Sequence, residues 1–175
     1  MNIFCTDSDP IISAQDLCDQ HCRSKMQIES AILLQHCFSN KTLESAPPTK
    51  KGTYRKSGKG YYNHPCSVWT RKSKANFEWL VIHALEMFSE RDYRWPTSSG
   101  HFTKTFIEWC KDNVDKTSYC KKTKLTPFAI AINHESACRN VLGFEKMSTR
   151  EKYQNYIKLD KQFATWTKRT KPSWY

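Results

Sequence analysis

Apolar side chains recur at helical spacing in several stretches of the chain. Within each stretch they return every three or four positions, as on the buried face of an α-helix. The stretches cover residues 23–38, a long segment from 67 or 73 to 88, 101–113 and 148–166. A short first helix is predicted at 11–17, where Asp9 can cap and Pro10 occupies the first turn. Ser148 and Glu151 have the spacing of a capping box.

Polar segments separate these helices. Asn40 is predicted to end the preceding helix, and residues 40–62 then form a long basic loop. Residues 168–175 form a basic and aromatic tail. Residues 2–5 fit a small strand or an extended arm, and 126–132 fit either a buried helix or a strand. With only 5 glycines, a turn-rich sandwich or barrel is disfavoured. The pattern predicts a mainly α, compact single-domain helical bundle over 1–175, with at most a short N-terminal strand.

Charge adds a prediction about partners. The chain has 28 Lys and Arg against 17 Asp and Glu, which gives a net charge of +11. Most of the excess lies between residues 41 and 74, where Glu44 is the single acidic residue. This patch favours nucleic acid as the partner, although a solvated basic loop would have the same composition. The predicted phosphate contacts are Lys51, Arg55, Lys56 and Lys59.

Cysteine content and hydropathy bear on the compartment. The eight cysteines are irregularly spaced, and the first residues lack the pattern of an export signal. No apolar stretch approaches the roughly 18–20 residues of a membrane span. We therefore expect a reduced protein of the cytoplasm, or of the host cytoplasm if it is phage-encoded, without a membrane partner.

Candidate catalytic residues cluster in the first third of the chain. Lys25 and Glu29 are four residues apart and share one helix face. Such a pair is often only a surface ion pair. However, apolar neighbours place the Glu29 carboxylate at the edge of the core, where it would suit proton transfer or stabilisation of a cation. His21 would add a group that titrates near neutral pH.

Other residues are candidates for nucleic-acid contact. Asn63 and His64 lie at the end of the basic loop and could read a base or bind a phosphate, although a His before Pro65 is often a turn residue. Arg71 follows as a clamp for the nucleotide. Trp69 and Trp174 lie beside basic residues in the sequence. Aromatic side chains in such surroundings can stack on unpaired bases, so both are candidate base-stacking residues. The alternative is that they pack in the core.

Metal and cofactor sites are not predicted. Cys18, His21 and Cys22 lie close together, but no second pair completes four zinc ligands. The chain has no phosphate-binding loop, dinucleotide fingerprint or nucleophile elbow. We expect no metal, no cofactor and no nucleotide cofactor.

Several short motifs, in their order along the chain, resemble the phage-type pyrimidine-dimer DNA glycosylase/AP lyase family. Asp19-Gln20-His21 followed by Glu29 is similar to the family's D-Q-H motif and catalytic glutamate. Tyr62-Asn63-His64-Pro65 resembles its Y-x-N-H-P turn with one spacer residue fewer, and Pro172-Ser173-Trp174-Tyr175 resembles its P-T-W-Y segment. The start MNIF, residues 25–34 and 126–129 are similar to uncharacterised phage-type proteins.

The resemblance implies an all-helical, base-flipping DNA repair enzyme. In the family an N-terminal amine forms an imine with the sugar while the glutamate assists. Because Asn2 is a poor signal for removal of the initiator methionine, the nucleophile here is the amine of Met1 or Lys25, or the lyase mechanism is absent. We therefore expect a DNA glycosylase or lyase that acts on a flipped-out pyrimidine or modified base. The alternatives are a phage-type protein that binds nucleic acid or a host complex without chemistry, and a DNA base-modifying transferase.

Overall fold

The computed structural model describes residues 1–23, 25–48, 52, 61–96, 101–118 and 123–175. Over these ranges the chain is mainly helical and contains no β-strand. The α-helices are α1 (Pro10–Gln15), α2 (Asp19–Cys22), α3 (Lys25–Gln35), α4 (Asn40–Leu43), α5 (Pro65–Lys72), α6 (Lys74–Arg94), α7 (Phe102–Asp112) and α8 (Thr149–Asp160). Short 3-10 turns occur at Val114–Lys116, Ala137–Asn140 and Phe144–Lys146. The mainly α fold class predicted from the hydrophobic spacing is confirmed.

Local capping signals set several helix ends. The Asp9 carboxylate accepts hydrogen bonds from the backbone N–H groups of Ile11 and Ile12, so α1 begins where the sequence predicts. At α8 the capping box is complete, since the Ser148 hydroxyl and the Glu151 carboxylate each accept a bond from the other residue's backbone N–H. These contacts satisfy N–H groups that have no partner within the helix.

The longest helix, α6, is the centre of the fold. It has 21 residues and contacts α1, α2, α3, α5 and α7. Its core face carries buried apolar residues at helical spacing, which are Phe77, Leu80, Val81, Ala84, Met87 and Phe88. Of the two starts predicted for the long helix, 67 and 73, the structure has the second: Ser73 is extended and its hydroxyl caps α6 by accepting from Asn76 N at 3.0 Å, while the preceding residues form the separate helix α5.

The start of the predicted basic loop is helical. Asn40 does not close α3; it is the first residue of α4, for which the Ser39 hydroxyl accepts from Thr42 N at 3.1 Å. Leu43 is fully buried, so this part of 40–62 belongs to the core. The prediction of a loop was wrong here because one short turn carries too few apolar positions to show a period. Four predicted phosphate contacts, Lys51, Arg55, Lys56 and Lys59, lie outside the described residues.

The first residues form a buried arm. Asn2 to Thr6 are buried and irregular, without a strand ladder. The arm lies beside residues 126–132, which are neither helix nor strand, and the Asn2 amide donates to Ala131 O at 2.9 Å. Tyr153 holds this second segment, since its hydroxyl donates to Ala129 O and accepts from Ala131 N, each at 3.0 Å. Two irregular segments therefore pack side by side, each held by side-chain bonds.

A buried arginine fixes α2 against α6. The Arg94 side chain is fully buried at the end of α6. Its guanidinium donates to Gln15 O, Leu17 O, the Asp19 carboxylate and the Glu90 carboxylate. Glu90 in turn accepts from Arg169 in the C-terminal tail. We call Arg94, Glu90, Asp19 and Arg169 the Arg94 network; it joins the α1–α2 connection, α6 and the tail.

Two further observations concern the environment of the chain. Within the described ranges, none of the helices has the length and apolar character needed to cross a membrane. The cysteines described there have free thiols and are buried, while Cys120 lies outside those ranges.

Candidate functional site

A polar cleft of about 240 Å³ opens between the N-terminal arm, α2, α3 and α8. All four predicted catalytic residues line it, namely Met1, His21, Lys25 and Glu29. Further lining residues include Asn2, Phe4, Gln20, Asn133, Tyr156 and Lys161. We call this the Glu29 cleft. Its walls come from the first 29 residues and from residues 131–161, so folding brings together groups that sequence spacing alone does not.

The Glu29 carboxylate lies at the edge of the core. Its side chain is 15% exposed, and one oxygen, Oε2, accepts from Asn2 N at 3.0 Å. The other oxygen, Oε1, is 4.0 Å from the Lys25 ammonium, whose side chain is 75% exposed. The carboxylate is therefore fixed by one backbone bond and one loose ion pair, which leaves acceptor capacity facing the cleft.

His21 is buried in the wall of the cleft. Burial, together with the smaller effect of the positive charges of Lys161 and Lys25, lowers its pKa from 6.5 to about 3. Its ring stacks on Phe4 with 4.3 Å between centroids. The imidazole is thus neutral at neutral pH, and the expectation that it titrates there is wrong. It remains a neutral group that can donate or accept one hydrogen bond.

Phe4 adopts an uncommon backbone conformation. Its φ is 51°, in the left-handed region that a bulky residue rarely enters. The ring lies between His21 and Tyr156, with a centroid distance of 5.7 Å to the latter. The Asn2 side-chain oxygen accepts from Ile3 N at 2.9 Å and so supports the turn of the arm. This packing directs Met1 to the cleft and compensates for the strain.

Two lysines add positive charge to that of the Met1 α-amine in the cleft. Lys25 contributes from α3 and Lys161 from the end of α8. The Lys161 ammonium lies 5.3 Å from the Tyr156 ring centroid and 5.8 Å from that of Phe163, and in the described part of the chain no carboxylate forms an ion pair with it. Lys161 is therefore available to an anionic ligand, and sequence reasoning missed it because it is 132 positions from Glu29.

His64 lies near the cleft without lining it. Its Nδ1 accepts from Cys66 N at 3.2 Å and caps α5. Burial lowers the pKa of His64, the positive N-terminal amine lowers it as well, and the negative charge of Glu29 opposes them. His64 thus lies within electrostatic reach of the cleft, whose α-amine and carboxylate act on it in opposite directions.

The other residues of the predicted nucleotide clamp lie around the turn at 61–65. Asn63 is exposed. Arg71 Nη1 donates to Tyr62 O at 2.7 Å, and the guanidinium carbon is 3.7 Å from the Tyr62 ring centroid. Arg71 therefore braces this turn. Its charge stays partly accessible, but the side chain does not reach into the Glu29 cleft.

Both predicted stacking tryptophans pack against the protein. Trp69 is 3% exposed, donates to Thr126 O at 3.3 Å and stacks on Phe128. Trp174 is half-buried against the core, and its indole donates to the Asp16 carboxylate at 2.9 Å. The assignment of Trp69 as a base-stacking residue is wrong, because basic neighbours in sequence do not reveal that its helix turns it inward. Trp174 is restrained by its hydrogen bond to Asp16.

Similarity to known proteins does not identify the chain. No family model matches it, and neither a curated protein nor a solved structure matches it. Among the residues that the structure describes, no group of three His, Cys, Asp or Glu side chains could hold a metal ion. The Cys18 thiol does lie 3.6 Å from His21 Nδ1, as a simple contact between neighbours in α2 and its cap. The function must be argued from the cleft.

Proposed function

We propose that the protein is a nucleic-acid-binding enzyme of DNA glycosylase type that acts on a flipped-out pyrimidine or modified base. The proposal depends on one observation: the amine-bearing residues Met1 and Lys25 line the same cleft as the Glu29 carboxylate. An amine and a carboxylate in one cleft are the two groups needed for imine formation with a sugar. Lys161 adds a cation that can face a phosphate.

The chemistry follows from these groups. An uncharged amine attacks C1′ of the sugar, a new N–C1′ bond forms, and the glycosidic C1′–N bond breaks with its electron pair leaving on the base. One amine proton goes to the departing base. The sugar ring then opens at C1′–O4′, the second amine proton goes to O4′, and an imine remains. Glu29, fixed by Asn2 N, accepts and returns these protons.

The aromatic wall supports the binding part of the proposal. Phe4 packs between His21 and Tyr156, so the three rings form an aromatic wall, at which an extruded base meets ring edges, the half-buried Tyr156 and one uncharged hydrogen-bonding group. A base taken out of a stack loses its neighbours, and such a pocket offsets part of that cost. Because His21 stays neutral, it adds no charge that would repel Lys25 or Lys161.

The test is a cleavage assay on duplexes that carry damaged or modified pyrimidines, comparing wild type with Glu29→Gln. Glu29→Gln keeps an acceptor for Asn2 N but cannot take up a proton. We expect a rate loss of about a hundredfold or more, the range for removal of a general acid–base group. The matched control is Glu145→Gln, an equal charge change at a carboxylate that is 78% exposed outside the cleft.

Borohydride identifies the nucleophile. Reduction of the imine links protein to DNA, and mass mapping of the linked peptide distinguishes the amine of Met1 from the side chain of Lys25. Cleavage without any reducible link would replace the imine by direct hydrolysis. Salt-sensitive DNA binding with equal cleavage in wild type and Glu29→Gln would instead favour the binding protein without chemistry.

A further inference from the structure

A second cleft, of about 450 Å³, adjoins the Glu29 cleft. It is lined by Asp19, Gln20, Arg23, Trp95, Thr165 and Thr167, and we call it the Arg23 cleft. Gln20 lines both clefts, so they meet across the short helix α2. A ligand that leaves one cleft along this surface enters the other.

The acidic group of the Arg23 cleft is already engaged. The Asp19 carboxylate accepts from Thr167 N at 3.0 Å, from the hydroxyls of Thr165 and Thr167, and from Arg94 Nη1 at 3.1 Å. Arg94 also neutralises its charge. Asp19 therefore serves as the scaffold of the cleft, and it does not repel an anion as an isolated carboxylate would.

The basic group of the cleft is available. Arg23 is exposed, and over the described ranges no carboxylate lies within ion-pair distance of it. Its guanidinium carbon lies 5.1 Å from the ring centroid of Trp95, which is half-buried where α6 ends. A planar cation and an indole thus line one wall, with two threonines on another. Guanidinium and indole planes stack on bases, and a guanidinium also binds phosphate in bidentate geometry.

We propose that the Arg23 cleft binds the nucleotide adjoining the one in the Glu29 cleft, on the same strand. Its base stacks at Trp95 and the phosphate between the two nucleotides contacts Arg23. This inference rests on the proposed function and narrows its substrate: the nucleic acid presents two consecutive unpaired nucleotides, as in a single strand or a locally opened duplex. The shared wall at Gln20 carries the argument, because one strand must follow it from cleft to cleft.

The test compares the binding of thymidine monophosphate, dithymidylate and hexathymidylate to wild type and to four variants. We expect Arg23→Ala and Trp95→Ala each to weaken the two oligonucleotides about tenfold, in line with the contribution of one stacked base. Thymidine monophosphate fills the Glu29 cleft alone and should bind all proteins equally. Trp95→Phe, which keeps an aromatic face, should stay within about twofold of wild type.

Arg150→Ala is the charge-matched control. Arg150 is 53% exposed and belongs to neither cleft. Arg150→Ala therefore removes the same charge as Arg23→Ala, but at a side chain that is not predicted to contact the oligonucleotide. Arg23 is exposed, so Arg23→Ala carries the test even if Trp95→Ala unfolds. Equal weakening by Arg150→Ala and Arg23→Ala would overturn the subsite in favour of general charge attraction. Unchanged oligonucleotide binding by Arg23→Ala would overturn it too.

Failure of the subsite and failure of the proposed function are distinguishable. If dithymidylate binding depends on Arg23 and Trp95 but Glu29→Gln cleaves as wild type does, the subsite stands and the enzymatic proposal fails. If Glu29→Gln is inactive while Arg23→Ala binds and cleaves normally, the enzymatic proposal stands and the subsite fails. If wild type binds none of the three ligands, both are overturned.

Discussion

The Arg94 network and the Glu29 cleft are two acid–base constellations of opposite construction. In the network, the buried guanidinium of Arg94 meets two carboxylates and two backbone oxygens within 3.1 Å. In the cleft, Glu29 accepts one backbone N–H, and its nearest ammonium is 4.0 Å away on an exposed side chain. The first is saturated with partners and the second is not.

This difference separates a structural role from the chemical role proposed for Glu29. A charge removed from water must be compensated by near-ideal geometry, and the resulting network resists change. A carboxylate at a cleft edge keeps water or substrate as a partner, so it remains free to exchange protons. The network fixes α2, which carries Gln20 and His21 into the cleft wall. The Arg94 network therefore holds this wall of the Glu29 cleft in position.

The largest expected effect is on the network. Arg94→Leu leaves Glu90 and Asp19 without their buried cation, and such a loss costs about 3–5 kcal/mol. We expect the free energy of unfolding in urea to fall by that amount. Glu29→Gln in the cleft should cost less than about 1 kcal/mol, the range for an ion pair with an exposed partner. Similar losses at both sites would contradict the comparison.

The next effect is on the pH dependence of stability. The folded-state pKa values of His21 and His83 are lowered to about 3 by burial. Below about pH 6.5 the unfolded chain binds protons that the folded chain excludes, so the free energy of unfolding falls as the pH decreases towards 3. We expect a loss of about 2 kcal/mol per histidine between pH 6.5 and 5.

Replacing each histidine by phenylalanine shows which residue causes the pH dependence of the free energy of unfolding. In the described part of the protein neither ring nitrogen of His83 has a hydrogen-bond partner, and the ring stacks on Trp79. His83→Phe should therefore remove the contribution of His83 to the pH dependence of stability without leaving a polar group unpaired. His21→Phe should remove an equal share and keep the stack on Phe4. Urea unfolding of both variants across this pH range measures it; an unchanged slope in either would contradict the assignment.

A smaller effect is expected at the arm. Asn2→Ala removes the acceptor for Ile3 N and the donor to Ala131 O, both in a buried setting. We expect a loss of about 1.5 kcal/mol in the free energy of unfolding. Asn2→Asp keeps the acceptor for Ile3 N and removes only the donor to Ala131 O, so it distinguishes the contributions of the two hydrogen bonds. A stability equal to wild type in Asn2→Ala would show that the arm does not depend on this side chain.

The smallest effect is at the exposed partner of the cleft. Lys25→Gln removes a 4.0 Å pair with Glu29, and such pairs contribute about 0.5 kcal/mol or less. Thermal unfolding should therefore shift little. If Lys25 is the nucleophile, the same variant loses the borohydride-trapped link to DNA while its stability is unchanged, whereas a retained link assigns the reaction to Met1.

Much of the fold could be predicted because its signals are local. The cap of α1 at Asp9 and the capping box of α8 depend on residues within one turn of each other. Amphipathic spacing found the positions of α3 and α7. Ser73 was one of the two predicted starts of the long helix, and α6 begins there; the turn of α4 was missed, since a four-residue helix leaves the hydrophobic period almost unchanged.

Only part of the cleft could be predicted. Lys25 and Glu29 share a helix face by spacing alone, and the structure places both at the cleft. Lys161 and Asn133 reach it through tertiary packing, which no local pattern encodes. The burial of His21 could not be predicted either, because it depends on Phe4 folding back over the ring from the start of the chain.

The arm has a consequence for the order of folding. Asn2 bonds to Ala131 across 129 positions, and Thr6 O accepts from Gln154 across 148. Contacts that close such long loops form late, after nearer contacts have reduced the entropy of closure. The arm is synthesised before α8, yet it can dock only when α8 is present. Chains that stop before residue 131 would carry Glu29 and Lys25 but not the residues that complete the Glu29 cleft, so this cleft exists only when both ends of the chain have folded together.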